Sequence, residues 1–227
     1  ALSRGHHGLA RAFAARSRMD DAMNEAQAAL RLNPRDLEFH HTTGTLYERM
    51  PQWVTRPYWG GTVVLPKVSK HVDFECELCA VIGKTARKVT EEKAHDYIFG
   101  YLMCWDLSQR DPWGKGVQNT RNIRKGFDTF TGLGPWIVTR DEIKDPQDLH
   151  IRVEQNGKEA MVAHTADMIC NLRQHIRFLT DVLTLRPGDL ITTGTPAGVS
   201  RLAPGDKLHG SITKIGEMDL EVIADED

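Results

Sequence analysis

The chain has 227 residues, 40% of them hydrophobic and 26% charged, with a formal net charge of −2. These values fit a soluble globular protein, and the near-neutral charge gives no electrostatic basis for binding nucleic acid or an anionic membrane. No apolar run approaches the roughly 18 residues of a membrane span. No signal-peptide pattern opens the chain, and four cysteines are too few for a disulfide scaffold, so a reducing cytoplasm is the expected compartment.

The texture changes near Pro51, which divides the chain into an N-terminal segment, 1–50, and a larger domain, 51–227. The first segment is dense in alanine from Leu9 to Leu32 and has no proline before Pro34. Its apolar positions Leu9, Phe13, Met23, Ala26 and Leu30 predict two amphipathic helices joined near Ser17 to Asp20. The stretch AQAALRLNPRDLEFHHTTGTLYERM resembles about one and a half tetratricopeptide repeats. A plain helical hairpin with an Ala-rich seam is the alternative. The pairs His6-His7 and His40-His41 point to different helical faces and read as surface residues.

Past Pro51, short β-rich runs alternate with Gly and Pro turns. GGTVVLP reads as a strand and HVDFECELCAVIG as a longer one. In TEEKAHDYIFGY, Thr90 is placed to cap a helix whose first turn holds Glu91 and Glu92. YLMCWDLS and GPWIVT read as strands, and LHIRVEQNGKEAMVAHT as a hairpin turning at Asn156-Gly157. Asp167 opens a predicted helix with Ile169, Leu172, Ile176, Leu179 and Leu183 at helical spacing. Two Pro-Gly-Asp turns, at Pro187 and Pro204, each feed a strand, and ITKIGEMDLEVIA closes the chain as a hairpin. The fold class is α+β.

Within DFECELCAVIG, residues 73–83, Asp73, Glu75 and Glu77 recur at every second position. On a strand that period puts all three on one face, where like charges repel. A hard divalent cation would resolve the repulsion through Glu75 and Glu77, with Asp106 of MCWDLSQRD as third donor. A water-exposed strand face is the competing reading. Cys76 and Cys79 form a CxxC, but in a strand their side chains face opposite ways, so they read as small buried hydrophobes.

Three further stretches carry candidate chemistry. TTGTPAGV, residues 192–199, places the backbone N–H groups near Gly194 and the Thr195 hydroxyl where an oxyanion or carboxylate can bind. A strand-ending turn is the alternative. Lys125, followed closely by Phe127, is a charge clamp or a base of lowered pKa; a surface lysine is the alternative. Arg110 is placed to hold a substrate carboxylate bidentately, or to pair with Asp111 or another acid.

In order, FECELCAVIGK, GYLMCWDLSQRD, KGFDTFTGLGPWIVTRDEIKDP, QNGKEAMVAHTADMI and TLRPGDLITTGTPAGV resemble the fumarylacetoacetate hydrolase family, from about Trp53 to Ala224. The resemblance implies a mixed β-sandwich roll, here preceded by the helical hairpin, and a homodimer or higher oligomer. It implies Mg²⁺, or Mn²⁺ or Ca²⁺, on Glu75, Glu77 and Asp106, with Lys125 and Thr195 as catalytic residues. Arg110, Gly194 and Phe127 are then expected at the substrate, a small 2-oxo or 1,3-dioxo acid. C–C bond hydrolysis, isomerisation and decarboxylation through an enolate share this site.

The sequence departs from the family's pattern where small members carry an Asn-Tyr-x-x-His-x-x-Glu lid motif. No such motif occurs here, and the spacing of His40, His41 and Glu48 does not supply one. The Gln three residues after the family's arginine is Trp113, and the lysine of its Leu-Lys-Pro stretch is Arg56. The alternative to an active enzyme is a weakened member whose N-terminus serves protein assembly.

Overall fold

The computed structural model describes residues 61–111 and 124–226. The hairpin expected over 1–50 lies outside them, as do Arg56 and Trp113. Eleven strands and two helices are described: β1 (Gly61–Leu65), β2 (Val72–Asp73), β3 (Cys76–Ile82), α1 (Glu91–Ala94), β4 (Ile98–Asp106), β5 (Ser108–Gln109), β6 (Thr131–Thr139), β7 (His150–Gln155), β8 (Lys158–His164), α2 (Leu172–Val182), β9 (Leu190–Thr192), β10 (Lys207–Ile212) and β11 (Gly216–Ala224). They form a five-stranded sheet in the order β1-β11-β10-β7-β8, a four-stranded sheet in the order β6-β4-β3-β9, and a two-stranded ladder, β2-β5. Strands β1 and β11 pair in parallel; the other pairs are antiparallel. No described helix is long and apolar enough to cross a membrane.

One continuous core joins the two larger sheets. Alternate residues of β3 (Cys76, Leu78, Ala80, Ile82) and β4 (Tyr101, Met103, Trp105) meet Val153, Leu208, Ile212, Met218 and Leu220 of the five-stranded sheet. Cys79, Val81, Leu102 and Cys104 form a separate buried cluster. Cys76 and Cys79 thus fall in different clusters, as the strand period requires, and burial raises both thiols well above their usual range. Neither a dithiol nor a zinc clip is built.

The turn chemistry matches the expected hairpins. Asn156 and Gly157 both take positive φ, 55° and 73°, between β7 and β8, as a two-residue type I′ turn requires. The helices are shorter than expected. After α1 the chain passes through a 3-10 turn, His95–Tyr97, directly into β4, so the helix predicted from Thr90 gives way once Ile98 pairs with Ile82. Thr90 stands at the N-cap of α1 without a side-chain cap bond. The second helix starts at Leu172 rather than Asp167. Asn171 and Gln174 exchange side-chain-to-backbone bonds in a capping box that fixes this start. Ile169 consequently lies fully exposed before the helix, and Leu183 past its end.

The sheets approach closely at Gly210 of β10. A Cβ there would lie 2.5 Å from Cζ2 of the Trp105 ring, which is fully buried. Gly210→Ala must therefore shift Trp105 or the sheet, at a cost of about 1–3 kcal/mol. Urea denaturation should show a lower midpoint at an unchanged slope.

Candidate metal centre

The acidic stretch is not one strand. Pairing with β5 ends at Asp73, and the β3 ladder begins at Cys76. Phe74 and Glu75 lie between, with Phe74 buried edge-on against Trp105 at 6.1 Å between ring centroids. The two-residue period survives the break. Cys76 pairs with Trp105 on the core face, and Glu77 with Cys104 on the other. Asp106 N–H donates to the Glu75 carbonyl at 2.9 Å, which ties the end of β4 to the start of β3. Antiparallel register thus sets Glu75, Glu77 and Asp106 on the face away from the main core.

One carboxylate oxygen from each of these three residues lies within 4.8 Å of the other two. Glu75 and Glu77 are 8% and 2% exposed, which excludes the solvated acidic face. Positive charge sits among them instead. The Lys125 ammonium donates to Glu75 Oε2 at 2.9 Å, to Asp106 Oδ2 at 2.5 Å and to Ser108 Oγ at 2.9 Å. The Arg110 guanidinium donates from Nη2 to Glu75 Oε1 at 2.5 Å and from Nε to Asp73 Oδ2 at 2.8 Å. Asp111, the neighbour offered as Arg110's partner, instead accepts from Ser69 Oγ and from the N–H groups of Lys70 and His71.

The acids respond differently to these surroundings. Burial pushes Glu77 up to about 7; the Gly194 N–H opposes this, and the charges of Asp106 and Glu75 reinforce it. Burial also raises Asp106, against the pull of Lys125. For Glu75, burial raises the carboxyl, but Lys125 and Arg110 together outweigh it and hold it low. Burial works against the charge on Lys125, yet its bonds to Asp106 and Glu75 prevail and raise its pKa. That direction is opposite to the lowered pKa expected of a lysine base and agrees with its engagement by two carboxylates.

The donor set suits a hard divalent cation. Metal–oxygen bonds of about 2.1–2.5 Å place opposite ligands roughly 4.2–5 Å apart, which matches the carboxylate spacing. The ammonium of Lys125 already stands between two of the three, as a cation's stand-in. The Gly194 N–H, expected at the substrate, donates to Glu77 Oε2 at 2.6 Å and so holds one of the three acids. Thr195 Oγ1 is loosely engaged, 3.5 Å from the Cys76 carbonyl and 3.8 Å from Met161 Sδ. Phe127 packs on Phe130 at 5.0 Å between centroids, against the main core. A recess of about 540 Å³ is lined by His71, Val72 and Arg201 among others, but by none of the three acids. Sequence reasoning missed His71, Ser108 and the pairing of Asp73 with Arg110. The only signal was proximity: Ser108 stands two residues past Asp106, and His71 two before Asp73.

The profile of the family described as fumarylacetoacetate (FAA) hydrolase C-terminal matches residues 18–223. That match runs through most of the segment read as repeat-like, so a tetratricopeptide repeat there is not supported. Maleylpyruvate hydrolase of Aquipseudomonas alcaligenes is 40% identical over 163 residues, 72% of this chain and 55% of that enzyme. The 4-hydroxyphenylacetate degradation bifunctional isomerase/decarboxylase of Salmonella dublin is 38% identical over 165 residues, covering 73% of this chain and 38% of that protein. The crystal structure of maleylpyruvate hydrolase from Sphingobium sp. SYK-6 in complex with manganese(II) and pyruvate superposes with a TM-score of 0.67 at 37% identity, covering 74% of this chain and 60% of that one. The chain thus spans between about four-tenths and six-tenths of these relatives' lengths. With the profile matched over most of its length, the chain belongs to the fumarylacetoacetate hydrolase family of enzymes.

Proposed function

We propose that this chain acts on a small 2-oxo or 1,3-dioxo acid with a divalent cation, Mg²⁺ or Mn²⁺, held by Glu75, Glu77 and Asp106. The observation that carries this reading is the convergence of three carboxylates, two of them buried, on a point where an ammonium already bridges two of them. The cation would supply Lewis acidity toward a substrate oxo group and stabilise enolate character. The solved relative with manganese(II) and pyruvate supports the pairing of such an ion with a 2-oxo acid.

The chain's own groups then divide the work. Glu77 lies on β3 and Asp106 at the end of β4, and Glu75, just before β3, is tied to Asp106 by a backbone bond, so backbone pairing fixes all three. Gly194 N–H orients Glu77 through Oε2. Lys125, which donates to Glu75 and Asp106, would offer a charged donor to a developing oxyanion. Arg110 is a bidentate partner for the substrate carboxylate, and the loosely held Thr195 hydroxyl is free to turn to the same group. C–C hydrolysis, isomerisation and decarboxylation all use this arrangement and differ in where the proton goes afterwards.

Titration calorimetry with Mn²⁺, with and without oxalate as an enolate mimic, tests the reading. The parent should bind Mn²⁺, and oxalate should tighten it. Glu75→Gln and Glu77→Gln should each weaken Mn²⁺ beyond the roughly 100-fold that outer-sphere changes cause. A parent that binds neither ion nor oxalate overturns the proposal.

Lys125→Met removes the competing ammonium. Mn²⁺ affinity without oxalate should rise by about tenfold or more, while turnover of any oxo-acid substrate falls.

Glu77 sets the pH dependence. Its folded pKa, about 7, lies above its usual 4.5. In the metal-free protein the stability tied to its protonated form is full below 4.5 and is lost as pH rises through about 7. The cation needs the carboxylate, so the sign reverses for binding. Apparent Mn²⁺ affinity should climb by up to about tenfold per pH unit below 7 and level off above it, with proton uptake by the buffer falling in parallel.

A further inference from the structure

Asp73 is buried, acidic and next to the metal centre, yet it is not one of the three converging carboxylates. Both of its oxygens are committed elsewhere. Oδ2 accepts from Arg110 Nε at 2.8 Å, and Oδ1 meets His71 Nε2 at 2.8 Å. Its backbone is fixed by pairing with Ser108 and by a bridge to Arg201. Arg110 N–H donates in turn to the His71 carbonyl at 2.8 Å, so the backbones carrying the three residues are tied as well. The side chains form an unbroken line, His71–Asp73–Arg110–Glu75–Lys125–Asp106.

We propose that Asp73, backed by His71, is a positioning residue that fixes the guanidinium of Arg110 for a substrate carboxylate. This rests on the oxo-acid reading above. Arg110 is long, and its side chain is 36% exposed, so Glu75 alone leaves its plane free to swing about a single contact. The second bond, from Nε, fixes the plane. A fixed fork loses less freedom when it grips a carboxylate, and bidentate geometry is sensitive to tilt. His71 occupies the remaining oxygen of Asp73 and keeps it from turning toward the cation.

The test uses the full chain as parent, Asp73→Asn, Arg110→Met and the double variant, with Mn²⁺ and then oxalate titrated by calorimetry. Asp73→Asn should hold Mn²⁺ affinity within about threefold of the parent and weaken oxalate by about tenfold. The double variant should bind oxalate no more weakly than Arg110→Met alone, because Asp73 acts through Arg110. Equal losses for Mn²⁺ and oxalate, unchanged oxalate binding, or additive losses in the double variant would each overturn the proposal. If Asp73→Asn does not fold, the half-exposed His71→Asn takes its place and should weaken oxalate by about twofold to threefold with Mn²⁺ unmoved; no change in oxalate binding would overturn it. A parent that binds no Mn²⁺ overturns the oxo-acid reading together with this one, whereas normal parent binding with an indistinguishable Asp73→Asn overturns this one alone.

Discussion

Three carboxylates brought within 4.8 Å of one another impose the constraint around which the structure is arranged. In a low-dielectric setting such a cluster is unfavourable unless opposite charge or donors accompany it. The protein meets this with four groups: Lys125, Arg110 past β5, the Gly194 N–H past β9, and Ser108 of β5 bracing Lys125. Lys125 and the Gly194 N–H are far in sequence from the acids they meet, whereas Ser108 and Arg110 follow Asp106 closely. Each reaches the cluster because the four-stranded sheet and the β2-β5 ladder end at the same edge.

The sheet also explains why the cluster holds its geometry. Every residue of β3 is buried. Its core-facing side chains lock the strand against Trp105 and Met103, so Glu77 cannot move without shifting Leu78 and Cys76. Trp105 stacks edge-on with Phe74 and fills the space over Gly210, which anchors both residues flanking the acids, Phe74 before Glu75 and Trp105 before Asp106. The apolar packing on one face therefore sets the positions of the polar groups on the other.

The strand period made the acidic pair legible in the sequence, because alternation is a local property that survives even a break in the ladder. It did not show the break at Phe74 and Glu75, since loss of hydrogen bonding leaves no mark on side-chain spacing. Asp106, Lys125 and Thr195 are candidates on their local context alone, and the resemblance is what joins them to the acidic pair, which periodicity does not. The Gly194 N–H, which donates to Glu77, is not assigned a partner by sequence, because an N–H after a strand looks the same whether it meets a substrate or a protein carboxylate. The start of α2 was misplaced at Asp167 although Asn171 and Gln174 carry the spacing of a capping box. The acidic residue attracted the assignment, and the amide pair decides it. His71 and Asp73 were out of reach because their partner lies 37 residues away from Asp73, joined only by the β2-β5 pairing.

Charge balance connects the site's parts. Asp73, Glu75, Glu77 and Asp106 face only Arg110 and Lys125 as full cations within bonding distance among the described residues. Ionised, they leave an excess of two negative charges. Without a metal the cluster relieves part of that excess by favouring a proton on Glu77, the most buried of the four and the one without a cationic partner. A divalent ion brings the set to neutrality and makes the proton unnecessary. It would also compete with Lys125 for Glu75 and Asp106. Arg110 is held at two points, by Asp73 through Nε and by Glu75 through Nη2. The two basic residues thus meet at a single carboxylate, Glu75, and differ in their second partner, Asp106 for Lys125 and Asp73 for Arg110.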